Sequence, residues 1–284
     1  MENCSEDRKR DRLHFQREIG RQKTYHKKIP KWQGTGLVTS LSNLRRRKRS
    51  TVLVGISYAN NMISAKKDDM SKIDDKIVFE PTGFDYVNPK AEVVIVGITP
   101  GNSQLKGERE GVEPREIKRK NAFAGSMRPN LVKMLDYVGV NSLLGIESCR
   151  SLWEENFERV EMTSLLKEAT YIVRKNGKKD MFNEVQLIAK SEKLTKMLNE
   201  GFVKDCSNYN KAKLFVACGP KVYDKLIELK NAGIVKAPVI GIAHPSGANL
   251  GRVLCYLGQK EAQASSYEWC QEKAKEAKET IEAL

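Results

Sequence analysis

His244 opens a His244-Pro245-Ser246-Gly247 turn that ends an apolar run, Pro238 to Ala243. Far upstream a second apolar run, Val93 to Gly97, breaks in Ile98-Thr99-Pro100-Gly101-Asn102. An imidazole so placed can give or take a proton near neutral pH. The Thr99 hydroxyl can position water or contact a substrate, but it lacks the basicity of a carboxylate. Each run reads as a strand ending in a polar Gly/Pro turn. In a chain that alternates strands with helices, both turns fall at the carboxyl edge of one parallel sheet, where open α/β sheets bind ligands. Taken singly, each also reads as an ordinary tight strand-to-helix connection.

The elements that must position these turns follow from periodicity. Four strands are expected: Glu92 to Val96, Phe157 to Leu166, Leu214 to Cys218 and Pro238 to Ala243. The uninterrupted Val-Val-Ile-Val of the first implies burial on both faces. Leu131, Met134, Leu135 and Val138 share one face of a helix that Gly139 ends. Another helix is expected from about Glu184 to Asn199, and a third after Gly219-Pro220 through Val222, Leu226 and Leu229. A last one carries Tyr267, Cys270, Ala274, Ala277, Ile281 and Leu284 as a stripe. Residues 102 to 120 read as a charged loop, and 167 to 183, lysine-rich around Asn176-Gly177, as a basic loop suited to a phosphate path. Lys76 to Pro81 alternates briefly before a turn, and Thr51 to Tyr58 reads as a short strand or buried segment.

The fold class is therefore α/β: a three-layer α/β/α domain over residues 75–284 with a central four-stranded parallel sheet. A basic extension, residues 1–74, precedes it. Of the net charge of +14, the first fifty residues supply +10, with fifteen Lys/Arg against five Asp/Glu. Phe15, Tyr25 and Trp32 lie among these cations, and Arg45-Arg46-Arg47-Lys48-Arg49 is a run that no core accepts. Aromatics among basic residues suit nucleic acid, with rings for bases and charges for phosphates; a solvated tail is the plainer reading. No run of 18 apolar residues exists, so no membrane span is expected. The six cysteines form no Cys-x-x-Cys pair, and reduced thiols in a cytoplasmic protein with no metal and no cofactor are expected.

Gly97-Ile98-Thr99-Pro100-Gly101 and His244-Pro245-Ser246, taken together, resemble the first and last motifs of the uracil-DNA glycosylase superfamily. The passage from Ala122-Phe123-Ala124-Gly125 through Leu131 and Leu135 to Gly139 resembles a third segment of that family. Four separated segments spread over most of residues 75–284 carry the likeness. It implies that the turn from Gly97 through Ile98, Pro100, Gly101 and Asn102 faces the sugar, that Phe123 stacks on an extruded base, and that His244 donates a hydrogen bond to the departing base. It implies also that Ser246, Gly247, Asn249, Leu250 and Arg252 engage DNA, Leu250 and Asn249 as a plug and Arg252 on a phosphate. Leu250 equally suits a helix cap.

Two positions depart from the family pattern. Thr99 stands where many members carry Asp or Asn, leaving Glu108, Glu110 and Glu113 as candidate acids. Ser164 stands where an Asn reads the edge of uracil, and one hydroxyl has no amide fork. The expectation is a monomeric DNA glycosylase acting on a flipped uracil-like or modified pyrimidine, with a hypermodified viral cytosine and antiviral defence as one form of it. A catalytically weak DNA-binding member of the same fold is the alternative. A phosphate-binding small-molecule enzyme lacks its Gly-x-Gly-x-x-Gly or P-loop Lys.

Overall fold

A computed structural model of the chain describes residues 73–105, 111–262 and 264–284. The Arg45–Arg49 run, Thr51 to Tyr58, Glu108 and Glu110 lie outside the described residues.

The strands are β1 (Ile77–Glu80), β2 (Val93–Gly97), β3 (Val160–Ser164), β4 (Ala169–Val173), β5 (Lys179–Met181), β6 (Leu214–Cys218) and β7 (Val239–Ile242). The α-helices are α1 (Asn102–Leu105), α2 (Pro114–Asn121), α3 (Met127–Val138), α4 (Val140–Leu144), α5 (Glu192–Leu198), α6 (Pro220–Asn231), α7 (Leu250–Tyr256) and α8 (Ser265–Glu282). Four strands form a wholly parallel sheet in the order β3-β2-β6-β7. Because successive side chains leave a strand on opposite faces, Val93 and Ile95 join one core with α3 and α8, while Val94 and Val96 join the other with α5 and α6. The expected three-layer α/β/α architecture with four parallel strands is the observed one.

α3 buries Leu131, Met134, Leu135 and Val138, and Gly139 ends it at φ 92°, a left-handed conformation that glycine adopts without penalty. α8 buries Cys270, Ala274, Ala277 and Ile281, as its stripe requires; Leu284, beyond its end, is exposed.

Three segments differ from expectation. Residues 167–183 form a hairpin, β4 and β5, which joins β1 in a small antiparallel sheet with Ile77 opposite Ile172 and Tyr171 opposite Met181. The β-branched and aromatic Ala-Thr-Tyr-Ile-Val outweighs the neighbouring lysines, and Gly177 at φ 77° makes the turn. The helix expected from Glu184 to Asn199 breaks at Ser191, where 3-10 turns give way to α5. The buried Ser191 hydroxyl accepts the Leu194 N–H at 3.1 Å and donates to Asp74, a serine used as an N-cap. The charged stretch after Gly101 contains α1 and α2, the latter with proline at its first turn, where its missing N–H costs nothing.

Two ion-pair systems brace the parallel sheet. At its amino edge, Glu92 just before β2 accepts from Arg159 just before β3 and from Lys213 just before β6, the latter at 2.7 Å. The Arg159 hydrogen bond foremost, with Lys213, holds the Glu92 carboxyl down at about 2. Its stabilising contribution is therefore full above the ordinary carboxylate range and is lost as pH falls toward about 2. Glu92→Gln is expected to flatten the stability–pH curve in that acid window, which urea unfolding at stepped pH measures.

Inside, Lys118 of α2 donates to the Glu161 carboxylate of β3 and to the Tyr86 carbonyl, while the other Glu161 oxygen accepts the Asn88 N–H at 2.7 Å. Both side chains are almost wholly buried.

Candidate functional site

The register of the sheet brings the first motif to the second strand. Gly97 pairs directly with Ser164, and the ladder continues past both strand ends, Leu165 N–H to the Gly97 carbonyl and Leu166 N–H to that of Ile98, each 2.9 Å. A Cβ on Gly97 would lie 3.4 Å from Ser164 Oγ and 3.8 Å from the Phe123 ring. Absence of a side chain at 97 thus lets the Phe123 ring and the Ser164 hydroxyl meet over the end of β2.

Phe123 is held there by its backbone. Its φ is 51°, and among the described residues it is the one non-glycine in the left-handed region, a conformation costing about 1–2 kcal/mol for a bulky side chain. The neighbouring carbonyls are fastened: Arg128 Nη2 donates to Lys120 at 2.6 Å and to Ala122 at 3.3 Å, and Trp153 Nε1 donates to Ala122 at 3.1 Å. Arg128 in turn stacks on Trp153, 5.3 Å from the ring centre.

Phe123, Phe84, Pro100 and Met162 give this hollow apolar walls, and Gln104, Lys118, Ser164 and Lys167 supply polar groups. Its void measures about 10 Å³, room for one water, so a base enters only when a side chain moves aside.

The Thr99 hydroxyl is committed elsewhere. It donates to the Glu168 carbonyl at 2.7 Å and accepts the Thr170 N–H at 2.9 Å, tying the first turn to β4. Asn102 Oδ1 accepts the Tyr171 hydroxyl at 3.0 Å, a second tie to that strand. Both residues hold the turn in place, which leaves Thr99 no proton to give a water in this arrangement. Gly101 borders open space. Glu113, the candidate acid among the described residues, is exposed just before α2.

His244 follows β7 and lies against Gly219, whose φ of 98° requires glycine and whose added Cβ would come within 3.5 Å of the His244 Cβ. Its Nδ1 faces the Ser246 N–H at 3.3 Å and the Ser246 hydroxyl at 3.1 Å. A backbone N–H can only donate, so Nδ1 accepts and the proton of the neutral ring sits on Nε2. Burial lowers the His244 pKa, which favours that neutral form. The chain of donors continues: Asn249 Nδ2 donates to Ser246 Oγ at 2.8 Å, and Arg252 Nη1 to Asn249 Oδ1 at 2.7 Å. Ser246, Asn249 and Arg252, expected on DNA, are thus engaged in orienting His244. Arg252 also packs over Tyr267.

His244 opens onto a cavity of about 460 Å³ shared with Ile98, Gly219, Arg252 and Trp269, a different hollow from that of Phe123. The loop that follows His244 is tied to the start of α3. Asn130 of α3 donates to the Pro245 carbonyl at 2.9 Å, and Gly247 packs so closely on Ser126 Oγ that a Cβ there would lie at 3.3 Å. Leu250, the first residue of α7, is 49% exposed.

Sequence reasoning missed Gln104, Lys118, Lys167 and Phe84. Gln104 lies in α1, directly after the turn that the first motif singled out, so its position was a signal. A lone lysine reads as surface, and nothing local marks Lys118 as buried.

No protein-family model matches the chain. A protein of Bacillus subtilis (strain 168), YoxB, described as uncharacterized, is 36% identical over 104 residues, 32% of this chain and 41% of that protein's length. Among solved structures, wild-type Pedobacter heparinus SMUG2 is similar, with a TM-score of 0.43 and 12% identity over 81% of this chain and 99% of that one. Among the described residues no helix is long and apolar enough to cross a membrane.

Proposed function

We propose that the chain is a DNA glycosylase that hydrolyses the N-glycosidic bond of a flipped uracil-like or modified pyrimidine and leaves an abasic site. The observation that carries this reading is the meeting of Gly97, Ser164 and a conformationally constrained Phe123 at one sheet edge, with His244 presenting Nε2–H from the neighbouring loop.

Base loss passes through an oxocarbenium-like sugar and a departing base anion, and the base must first leave the stack. In this reading Phe123 offers the stacking face, Ser164 a polar contact, and His244 a neutral donor for the charge that builds on the base. Leu250, exposed beside the loop, takes the place the base vacates, and the basic residues before 75 track phosphates. Thr99 acts by fixing the turn. The two hollows join only when the intervening walls move, so base entry and closure are part of the cycle. A hypermodified cytosine, and through it a role against viral DNA, is the form of substrate that the departures at Thr99 and Ser164 favour. The reading takes the protein as a monomer, and hydrolysis of an N-glycosidic bond needs no cofactor.

Abasic-site formation on duplexes carrying uracil, hypoxanthine, oxidised or methylated cytosines and hypermodified viral cytosines tests this. Release of one of these bases is the expected result. Tight DNA binding with no abasic product on any would replace it with the DNA-binding reading, which the full occupation of the Thr99 hydroxyl favours.

A further inference from the structure

Gln104 is the side chain that the proposed site leaves without a task. It is 7% exposed, lines the Phe123 hollow, and its amide makes no hydrogen bond among the described residues. The two lysines on the same wall are committed, Lys118 to Glu161 and Lys167 to Asp205 at 2.7 Å. An amide that lines a hollow without a bond of its own is open to a ligand that enters there.

Resting on the glycosylase reading, we propose that Gln104 is the specificity-determining residue that reads the polar edge of the excised pyrimidine. It supplies from α1 the two-point contact that Ser164 cannot make from β3. An amide carries one acceptor oxygen and a donor NH₂ side by side. With its oxygen toward N3–H and its NH₂ toward O4, it matches the edge of uracil. Turned by half a revolution, it matches N3 and the 4-amino group of cytosine. No group among the described residues holds either orientation, so the pocket accepts oxo and amino pyrimidines alike, and selection among them falls to the ring substituents that the apolar walls admit. Since no bond restrains Gln104, it is also the wall group free to swing clear of the 10 Å³ void as the base enters.

The test is single-turnover base release by wild type, Gln104→Met and Gln104→Glu on duplexes bearing uracil-type and modified cytosine-type bases, with DNA affinity and melting temperature measured alongside. Methionine keeps the volume and removes both polar atoms. It is expected to slow release of the preferred base about 10- to 100-fold, as loss of two hydrogen bonds implies, with DNA affinity and melting temperature near wild type. Glutamate, as a carboxylate, only accepts; it keeps one contact to either base, from N3–H of uracil or the 4-amino group of cytosine, and meets an acceptor at the other, so release of both is expected to slow about tenfold. Wild-type release with unchanged rates and selectivity in both variants overturns this proposal and leaves the glycosylase reading standing. If wild type releases no base from any duplex, that reading falls and this one with it.

Discussion

His244→Ala is expected to lower the single-turnover rate of base release by about 10²- to 10³-fold, the usual loss when a donor to a developing anion is removed, with DNA affinity nearly unchanged. The expectation rests on tautomer as much as on position. The Ser246 N–H fixes Nδ1 as the acceptor, so Nε2 carries the proton toward the cavity. A neutral donor suits a base anion whose charge spreads over a ring, because it stabilises the leaving group by a hydrogen bond while keeping its own proton. The pH dependence has a definite sign. Burial lowers the folded-state pKa of His244 below its ordinary value of 6.5. Its neutral form therefore contributes stability that is full above about pH 6.5 and is lost as pH falls through the folded value. Removing the imidazole is expected to flatten the stability curve below that pH, and urea titrations of the two proteins at stepped pH would show it. A variant that retains wild-type release on the preferred duplex would remove His244 from the chemistry.

Glu161→Ala is expected to destabilise the domain by about 3–5 kcal/mol, the cost of leaving one member of a buried ion pair uncompensated. That is a large share of the roughly 5–15 kcal/mol by which domains are stable. Burial lowers the Lys118 pKa and raises that of Glu161, while their mutual attraction opposes both shifts. With Glu161 gone, burial and the Lys167 charge push the Lys118 pKa further down against the weaker pull of Asp205, which favours the neutral amine in the folded state. The deficit of the variant is then expected to shrink as pH rises toward the unfolded lysine value of about 10.4. The double replacement Lys118→Met with Glu161→Leu is expected to regain most of the lost stability, since well-packed apolar residues commonly replace buried pairs without penalty. Denaturant midpoints for the single and double variants, at neutral and alkaline pH, measure both effects.

The parts of the fold legible in the sequence were those written as local periodicity. The four parallel strands, α3 with its closing Gly139 and the buried stripe of α8 each announce themselves within a dozen residues or so, and the turns after Gly97 and Ala243 inherit their place from the strands. What was not legible depends on distant partners. Five of the eight residues of α2 are charged, so it reads as loop until Ile117 and Lys118 are seen packed inward. The partner of Lys118 is 43 positions away. Ser191 divides an apparently continuous helix by capping α5, its hydroxyl accepting the Leu194 N–H and donating to Asp74, 117 positions away. At the site, the residue types of Thr99, Asn249 and Arg252 were noticed, but their hydrogen bonds run to protein atoms, and no motif specifies that. Gln104 carries the reverse lesson: its type is unremarked in a polar turn, and only burial without a partner singles it out.

The two ties from the first turn, Thr99 to the backbone at Glu168 and Thr170 and Asn102 to Tyr171, make the small antiparallel sheet a buttress for the site. Tolerance to change should then be graded along a single hairpin. Around Asn176, far from the ties, length and sequence are freer to drift, apart from the left-handed turn residue Gly177. Within Glu168 to Tyr171 even a shift of backbone that spares every core contact would be transmitted to the turn that follows β2. Divergence in that hairpin among related chains would therefore be a record of where the site has been re-aimed.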